Sequence, residues 1–448
     1  MKTLTQIAAE LQGYDAQAMS ADAVQDFLSR LVTPVQETIE LPLLQALGRI
    51  LAADLISPLN VPPHDNSAMD GYAFAGVQLD TTVALEFEVI GTALAGKAWQ
   101  GPVQAGQCVK IMTGAIMPPG LDTVVPQELV TQHLVGNASR ISIAPGLMRS
   151  GDNRRLCGED LTQGQPALLK DERLAPAHIG LAASLGLNTL VCWRPLRVAY
   201  FSTGDEILSQ SEAPREGAVY DSNRYTILAM LSRLGCELID MGVVRDNPAH
   251  LESAFTLAAS QADVVITSGG VSTGEADHTR AIMKQLGDVA FWRIAMRPGR
   301  PMAAGRITSN KVGANALSAS ADSYEKNSNQ RTAILFGLPG NPVAVMVTFL
   351  AFVRPALLQM MGATPHPTPR LKARSSEAIR KKPGRTEYQR GWVSNAADGT
   401  LQVKTTGSQG SGVLHSMAQA NGLIVLHHSQ GPVAAGDEVE VMMFDGVM

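Results

Sequence analysis

The stretch Asp263–Arg280, which reads D-V-V-I-T-S-G-G-V-S-T-G-E-A-D-H-T-R, contains a run of apolar residues that stops at Thr267-Ser268-Gly269-Gly270. A short apolar run that stops at glycine is typical of a buried strand ending in a tight turn. Two carboxylates and a histidine follow within a few residues, next to a predicted helix over Asp277–Leu286. The stretch therefore predicts a strand–turn–helix unit. It leaves open whether the turn holds a phosphate-bearing ligand and a metal ion.

The same alternation of strand and helix extends on both sides of this stretch. The predicted strands are Val198–Phe201, Glu237–Val244, Asp263–Thr267 and Ile334–Leu338, and the predicted helices are Asn223–Leu234, His250–Ala262, Asp277–Leu286 and Pro342–Met361. Alternation at this spacing is typical of a parallel sheet with helices on both faces. Such a sheet binds ligands beyond the carboxyl ends of its strands.

The rest of the chain predicts a multidomain α/β plus β protein. A helical or mixed N-terminal domain is predicted from residues 20–62 plus 163–195, interrupted by a β-rich domain at 63–162; the α/β domain follows at 196–364, and a small β domain at 365–448. Residues 1–20 are predicted to be frayed, because they are polar. Ser20 can cap a helix over Ala21–Leu31, and Leu43, Leu44, Leu47 and Ile50 are spaced as one helix face. The polar, aperiodic segment 308–331 is predicted to be a mobile surface loop.

The composition excludes several classes of protein. The chain has 448 residues, 45 % of them hydrophobic and 17 % charged, which is typical of a folded multidomain protein. A formal net charge of -5 gives no basic excess for nucleic-acid binding. The four cysteines form no C-x-x-C pair, which argues against structural zinc and a disulfide framework. No signal peptide and no membrane-spanning run is evident, so a cytoplasmic location is expected.

Three strand ends of the α/β region carry glycine beside polar groups. They read S-T-G-D-E (202–206), T-S-G-G-V-S-T-G-E-A-D (267–277) and G-L-P-G-N-P (337–342). Glycine lets backbone N–H groups approach an anion closely, and a following helix N-terminus favours negative charge. Each junction alone is more often a simple turn. Three junctions on one edge of a sheet indicate an anion-binding site.

Charged residues near these junctions suggest how an anion is held. Glu206, Asp246, Glu275 and Asp277 would repel a phosphate unless a cation such as Mg²⁺ lies between them. Taken singly, Asp277 also fits a helix cap and Asp246 a turn. Two clusters of basic residues offer oxyanion contacts: Arg293, Arg297 and Arg300 in one, and Lys381, Lys382, Arg385 and Arg390 in the other. No catalytic triad spacing, H-E-x-x-H motif or catalytic cysteine signature is present.

In order along the chain, several motifs resemble those of the molybdopterin molybdenumtransferase family, which includes the MoeA proteins and the E domain of gephyrin. They are P-P-H-D-N-S-A-M-D-G-Y-A, G-E-D, S-T-G-D-E, Y-D-S-N, S-G-G-V-S-T-G-E-A-D, R-P-G-R-P, G-L-P-G-N-P and G-R-T-E-Y-Q-R-G, and the resemblance runs from about Ser20 to Val441. It implies insertion of molybdenum from molybdate into adenylylated molybdopterin, with release of AMP and a requirement for Mg²⁺. It also implies a four-domain homodimer whose active cleft lies between one subunit and the β-rich domain of the other.

The resemblance assigns roles to residues by their position in the motifs. Catalytic carboxylates fall on Asp70, Asp160, Glu206, Asp246 and Asp277, with Asp246 and Asp277 as magnesium ligands. Substrate-binding residues fall on Ser202, Thr203, Gly204, Asp221, Ser268, Gly269, Gly270, Ser272, Gly274, Pro339, Gly340 and Asn341. Molybdate-binding residues fall on Arg297, Arg300, Pro301, Arg390 and Ser411. The family commonly has K-P-G-K-P where this chain has R-P-G-R-P. The planar guanidinium groups of Arg297 and Arg300 therefore replace the compact ammonium groups of two lysines.

Two alternatives remain open at this stage. One is another Mg²⁺-dependent hydrolase or transferase of nucleotide conjugates on the same fold, since a fold does not fix a function. The other is a scaffold role like that of gephyrin. The resemblance further implies contacts with the adenylyltransferase that makes the substrate and with recipient molybdoenzymes. No nucleic-acid or membrane partner is expected.

Overall fold

The computed structural model describes residues 2–80, 82–271, 278–309 and 331–444. Within these ranges the chain forms three six-stranded sheets and four two-stranded pairs. The middle part of the chain builds an α/β sheet, and β-rich sheets precede and follow it in the sequence. The predicted fold class, multidomain α/β plus β, is confirmed.

The central sheet is mixed, with a parallel part and an antiparallel edge. Its strands are Arg197–Thr203 (β1), Glu237–Val244 (β2), Val264–Ser268 (β3), Gly287–Arg293 (β4), Pro301–Thr308 (β5) and Thr332–Leu338 (β6). They lie in the order β2-β1-β3-β6-β5-β4. The first four are parallel, and β5 and β4 run antiparallel to their neighbours. The sequence predicted the four parallel strands and missed β4 and β5. In β5 a proline, a glycine and two alanines lower the strand propensity.

Helices cover both faces of this sheet, as predicted. They are Ser222–Leu234, Pro248–Gln261, His278–Leu286 and the run Pro342–Met360, which contains a π-helical turn at Phe349–Val353. Ile227 and Val343 pack on one face, and Phe255 and Met283 on the other. Pro342–Met360 is long and apolar enough to cross a membrane, but 83 % of its apolar window is buried inside the protein. It is therefore a core helix of the α/β unit.

The N-terminal residues are folded, and the prediction that residues 1–20 are frayed is wrong. A helix over Leu4–Glu10 buries Leu4 and Ile7, and the backbone N–H of Leu4 donates to Asp288 at the start of β4. The helix is only two turns long and its apolar residues are few, so its sequence pattern is weak. Packing against β4 and the helix Ala21–Leu31 stabilises it instead.

The segment after Ala21–Leu31 is only partly helical. Ser20 caps that helix as predicted, its hydroxyl accepting from the Ala23 N–H at 3.2 Å. The predicted helix face of Leu43, Leu44, Leu47 and Ile50 is wrong, because Thr38–Pro42 is a strand and the helix Leu43–Ala46 has only four residues. Leu44 is 84 % exposed. Pro42 before the helix and Gly48 after it, at φ +76°, limit its length.

Strands also fill the regions on either side of the α/β sheet. The preceding sheet contains Gly71–Phe74, Leu85–Ala93, Gln107–Ile111, Thr123–Pro126, Val130–Val135 and Ala138–Ile143. The strand Thr189–Trp193, which follows the helix Pro176–Ser184, pairs antiparallel with Thr38–Pro42. This pairing joins the segments before and after the preceding sheet.

The C-terminal sheet closes on itself. It contains Met296–Arg297, Leu371–Ser375, Thr386–Asn395, Leu401–Thr405, Gly422–Leu426 and Glu438–Met443. The strand Thr386–Asn395 pairs with both Leu401–Thr405 and Gly422–Leu426, which completes a small barrel. Met296–Arg297 pairs parallel with the start of Thr386–Asn395, so the R-P-G-R-P motif is attached to the barrel.

Candidate functional site

A cavity of about 960 Å³ lies at the carboxyl ends of the parallel strands and extends to the barrel. Thirteen of the residues assigned by motif line it: Ser202, Thr203, Glu206, Asp221, Ser268, Gly269, Arg297, Arg300, Pro301, Pro339, Gly340, Asn341 and Ser411. Its volume suits a nucleotide-sized or larger ligand. The cavity therefore brings the glycine turns and the basic motif to one site.

The glycine turns meet at close range on the cavity wall. Gly269 has φ +94°, and a β-carbon added to it would lie 2.6 Å from the carbonyl oxygen of Thr203. A β-carbon added to Gly340 would lie 3.9 Å from the Cα atom of Gly269. The strand-end turns after β1, β3 and β6 are thus adjacent, and a side chain at Gly269 would separate them.

Buried hydroxyl groups form the floor of the cavity. The Tyr200 hydroxyl lies 3.0 Å from the Ser202 hydroxyl and 2.7 Å from that of Ser268. Burial raises the pKa of Tyr200, so its hydroxyl stays protonated and can donate to a serine oxygen. The network fixes two serine side chains that face the ligand space.

Polar residues at the start of helix Ser222–Leu234 also line the cavity. Asp221 caps the helix, accepting from the Arg224 N–H at 3.0 Å. The Asn223 amide donates to the Gly340 carbonyl oxygen at 2.7 Å, which ties this helix to the turn after β6. Asn223 was not singled out as a site residue by sequence. The sequence signal that could have identified it is the motif Y-D-S-N, in which Asn223 lies two residues after the assigned Asp221.

Arginine side chains line another part of the cavity wall. Arg297 and Arg300 flank Gly299, whose φ is +98° and whose added β-carbon would collide with the Thr348 hydroxyl. Glycine is therefore required for the tight turn that presents both guanidinium groups. Arg385 also lines this wall. Sequence placed Arg385 in a basic cluster but did not assign it to the site.

Arg390, assigned to molybdate by motif, does not line the cavity. It is fully buried, and its guanidinium donates to the Ser408, Gln409 and Gly410 carbonyl oxygens at 2.8, 3.2 and 3.0 Å. Its Nε donates to the Ser416 hydroxyl at 3.1 Å. Burial, with a smaller contribution from Arg297, lowers its pKa to about 10. It still carries a positive charge at neutral pH.

Asp246 lies in an acidic cluster beside the cavity rather than on its wall. Its backbone N–H donates to the Asp205 carboxylate at 3.2 Å, and its own buried Oδ1 has no hydrogen-bond partner among the residues that the structure describes. Burial chiefly raises the pKa of Asp246; His278 opposes this, and Asp205 and Glu206 add to it. A buried carboxylate oxygen without a partner can serve as one ligand of a hard divalent cation.

The second predicted magnesium ligand is Asp277. Asp277 lies outside the described residues, as do Ser272, Gly274 and Glu275. Within the ranges that the structure describes, no group of three or more histidine, cysteine or carboxylate side chains is arranged to hold a metal ion. Gly204 and Gly270 lie next to lining residues but do not line the cavity themselves.

Two assigned carboxylates lie on the preceding β-rich region. Asp70 and Asp160 are exposed and do not line the cavity of their own chain. The Thr113 N–H and hydroxyl both donate to Asp70 at 2.7 Å, and these hydrogen bonds lower the pKa of Asp70. Thr113 was not predicted as a site residue from the sequence, because its contact with Asp70 is seen only in the structure.

Comparison with known proteins identifies the family. Three family models match the chain in order: MoeA N-terminal region (domain I and II) at residues 19–186, probable molybdopterin binding domain at 199–359, and MoeA C-terminal region (domain IV) at 372–444. A molybdopterin molybdenumtransferase from Haemophilus influenzae is 38 % identical over 423 residues, covering 94 % of this chain and 97 % of the relative. The chain belongs to the molybdopterin molybdenumtransferase family. The resemblance of its motifs is confirmed.

Other members of the family cover nearly the same span. A molybdopterin molybdenumtransferase from a Nostoc species is 34 % identical and covers 91 % of this chain and 89 % of the relative. Gephyrin from Dictyostelium discoideum is 30 % identical over 92 % of this chain, which spans 62 % of gephyrin. A solved structure of the molybdopterin biosynthesis MoeA protein from Pyrococcus horikoshii is 27 % identical with a TM-score of 0.70, over 96 % of this chain and all of that one. The family's architecture therefore extends over nearly the whole chain.

Proposed function

We propose that this enzyme is a molybdopterin molybdenumtransferase that carries out the last step of molybdenum cofactor biosynthesis. It would transfer molybdenum from molybdate to adenylylated molybdopterin and release AMP. One observation carries the proposal: a single cavity is lined both by glycine turns with hydroxyl groups and by arginines. A phosphate-bearing pterin and a small oxyanion need these two kinds of surface side by side.

The bond changes of the proposed reaction balance without a redox partner. Two Mo–S bonds form to the dithiol sulfurs while one Mo–O bond of molybdate breaks, and that oxygen leaves with the two thiol protons as water. One water cleaves the P–O bond of the phosphoanhydride, giving AMP and the phosphate of the cofactor. Molybdenum keeps its oxidation state throughout.

The chain's own residues would bind and orient both reactants. The turns at Gly269 and Gly340 would let the phosphates approach the backbone closely, because neither position has a β-carbon in the way. The Gly269 N–H itself donates to the Leu338 carbonyl oxygen at 3.1 Å, so it holds the turn in place. Arg297 and Arg300 would bind molybdate through charge-assisted hydrogen bonds, with the Ser411 hydroxyl beside them. Fixed donors of this kind stabilise charge that develops as bonds break.

Magnesium is the metal that Asp246 and Asp277 would hold together with the substrate's phosphates. The unpartnered Oδ1 of Asp246, beside Asp205 and Glu206, supports Asp246 as a ligand. We propose Asp277 as the second ligand from its motif position. When bound, Mg²⁺ would neutralise negative charge on the substrate's phosphates.

A homodimer is part of the proposal. Asp70 and Asp160 have assigned roles but do not line the cavity of their own chain, so we propose that they complete the partner subunit's cavity. The enzyme would act in the cytoplasm, receive its substrate from the adenylyltransferase and pass its product to molybdoenzymes.

Release of AMP with and without molybdate tests the proposed reaction. Purified protein is incubated with adenylylated molybdopterin and Mg²⁺, and AMP is quantified by chromatography. We expect AMP release to depend on molybdate and to match the molybdenum that becomes bound to the pterin. Equal release without molybdate would instead indicate a hydrolase of nucleotide conjugates.

A further inference from the structure

A tyrosine of the hydrophobic core lies directly beneath the cavity. Tyr200 in β1 is fully buried, and its ring belongs to the apolar cluster that contains Val198 and Ile266. Burying a hydroxyl group costs free energy unless the group forms hydrogen bonds, and a phenylalanine ring would fill the same space without that cost. The reason for a tyrosine at this position therefore lies in what its hydroxyl group contacts.

The hydroxyl group contacts two serines at the ends of neighbouring strands. Ser202 follows Tyr200 by two residues in β1, so both side chains lie on the same face of the sheet, and Ser202 is opposite Ser268 in the parallel register. The Tyr200 hydroxyl lies 3.0 Å from Ser202 Oγ and 2.7 Å from Ser268 Oγ, and the two serine oxygens are 3.3 Å apart. Both serines line the cavity, whereas Tyr200 does not. The three hydroxyl groups thus form a triangle in which only the serines reach the ligand space.

The distances favour one direction for the protons of this triangle. Each hydroxyl group donates one hydrogen bond and can accept two. A phenol is a stronger acid than an aliphatic alcohol, and the contact of Tyr200 with Ser268 is the shortest of the three, which favours Tyr200 as its donor. Ser268 then keeps its own proton for the ligand. The Ser202 proton can also point to the ligand, because the serine–serine distance of 3.3 Å is long for an O–H···O bond.

The two serines lie beside the turn at which the phosphates are proposed to bind. Ser268 directly precedes Gly269, in the turn after β3. The residue after Ser202 is Thr203, whose carbonyl oxygen lies 2.6 Å from the point that a β-carbon would occupy on Gly269. The Thr203 hydroxyl donates to the Ser268 carbonyl oxygen at 3.4 Å. A serine here that accepts a hydrogen bond at its own oxygen is polarised and donates more strongly to an anion.

We propose that Tyr200 is a positioning residue that directs the protons of Ser202 and Ser268 to an anionic oxygen of adenylylated molybdopterin. The proposal rests on the proposed function, which supplies that substrate. Without the tyrosine hydroxyl, the two serine hydroxyls would have only each other as partners among the described residues, and the bond between them would take one of their two protons. Tyr200 precedes the S-T-G-D-E motif by two residues, and no motif assigns it a role.

Steady-state kinetics of Tyr200→Phe test this role, because the substitution removes one oxygen atom and keeps the ring in the core. We expect the KM for adenylylated molybdopterin to rise by about three- to tenfold, as for the loss of one neutral hydrogen bond, while the KM for molybdate changes by less than about twofold. The matched control is Tyr388→Phe, at a buried tyrosine of the barrel that does not line the cavity, and it should leave both KM values unchanged. Circular dichroism verifies that both variants fold.

A double-substitution cycle separates positioning from a merely structural role. In a chain that carries Ser202→Ala and Ser268→Ala, Tyr200→Phe should change the KM for adenylylated molybdopterin by less than about twofold, because the tyrosine acts through the two serines. The proposal is overturned if Tyr200→Phe alone leaves this KM unchanged, or if it raises the KM equally with and without the serines.

Binding measured without turnover keeps this proposal apart from a failure of the proposed function. Adenylylated molybdopterin is titrated by calorimetry into wild-type and Tyr200→Phe protein, with Mg²⁺ and without molybdate. We expect the Kd of the variant to be about three- to tenfold higher than that of the wild type. Equal Kd values, together with molybdate-dependent AMP release by the wild type, would overturn this proposal alone. A wild type that neither binds this substrate nor releases AMP would overturn the proposed function and this proposal with it.

Discussion

The Cα atom of Gly269 lies 3.9 Å from the point that a β-carbon would occupy on Gly340. These residues lie in the turns that follow strands β3 and β6, which are neighbours in the sheet. The two turns therefore form one continuous surface with no side chain between them. The proposed binding of the substrate's phosphates depends on the short distance between these two turns.

Alanine substitutions at the two glycines should differ sharply in their effect on stability. Gly269→Ala should lower the free energy of unfolding by about 1–3 kcal/mol, because φ is +94° and the new methyl group would collide with Thr203. Gly340→Ala is the matched control, since the nearest atom lies 3.9 Å away and φ is not positive; its cost should stay below about 0.5 kcal/mol. Urea denaturation measures both. Equal costs would contradict the geometry of the turns.

Magnesium should stabilise the wild-type protein through Asp246. In a thermal unfolding assay Mg²⁺ should raise the Tm of the wild type and not that of Asp246→Asn. The variant's rate of AMP release should fall by about a hundredfold or more, as when a charge-stabilising group is lost. The matched control is Asp398→Asn, whose carboxylate accepts only from Thr400 in an exposed turn.

The magnesium effect should also depend on pH. Because the pKa of Asp246 is raised, protons compete with the cation at higher pH than they would at an ordinary carboxylate. The Mg²⁺-induced shift in Tm should therefore be fully present at neutral pH and shrink as the pH falls, starting at a higher pH than it would for an ordinary carboxylate. A shift that persists unchanged in Asp246→Asn would show that Mg²⁺ binds elsewhere.

Mixing two inactive variants tests the homodimer. Asp70→Asn removes a carboxylate proposed to serve the partner's cavity, and Asp246→Asn removes one that serves its own. If subunits exchange at random, half of the dimers carry both variants and each of these has one intact site. About a quarter of all sites would then be intact, and activity should recover to about that level. Mixtures that stay inactive after verified exchange of subunits would contradict a shared cavity.

The N-terminal helix should contribute to stability. Ile7 is fully buried, so Ile7→Ala should lower the free energy of unfolding by about 2–4 kcal/mol. Thr5→Ala, at an exposed position of the same helix, should change it by less than about 0.5 kcal/mol. Denaturant titration followed by circular dichroism measures both values. No difference between the two variants would mean that residues 4–10 do not pack in solution.

The sequence predicted the parallel part of the central sheet well, because each of its strands is a short apolar run that ends at a turn signal. It missed β4 and β5, and it misread the helix Leu4–Glu10, since these elements are stabilised by contacts distant in sequence: the Leu4 N–H binds Asp288. The glycine turns and Arg297 could be assigned to one site by motif. The contrast between Arg385 and Arg390 could not, because it depends on which guanidinium the barrel buries.

The position of molybdenum in crystals grown with molybdate tests the central claim most directly. Anomalous diffraction at the molybdenum edge locates the atom without assuming a role for any residue. The account predicts a peak in the cavity, with molybdate oxygens roughly 3 Å from guanidinium nitrogens of Arg297 and Arg300. A peak outside this cavity, in protein that retains molybdate-dependent AMP release, would contradict it.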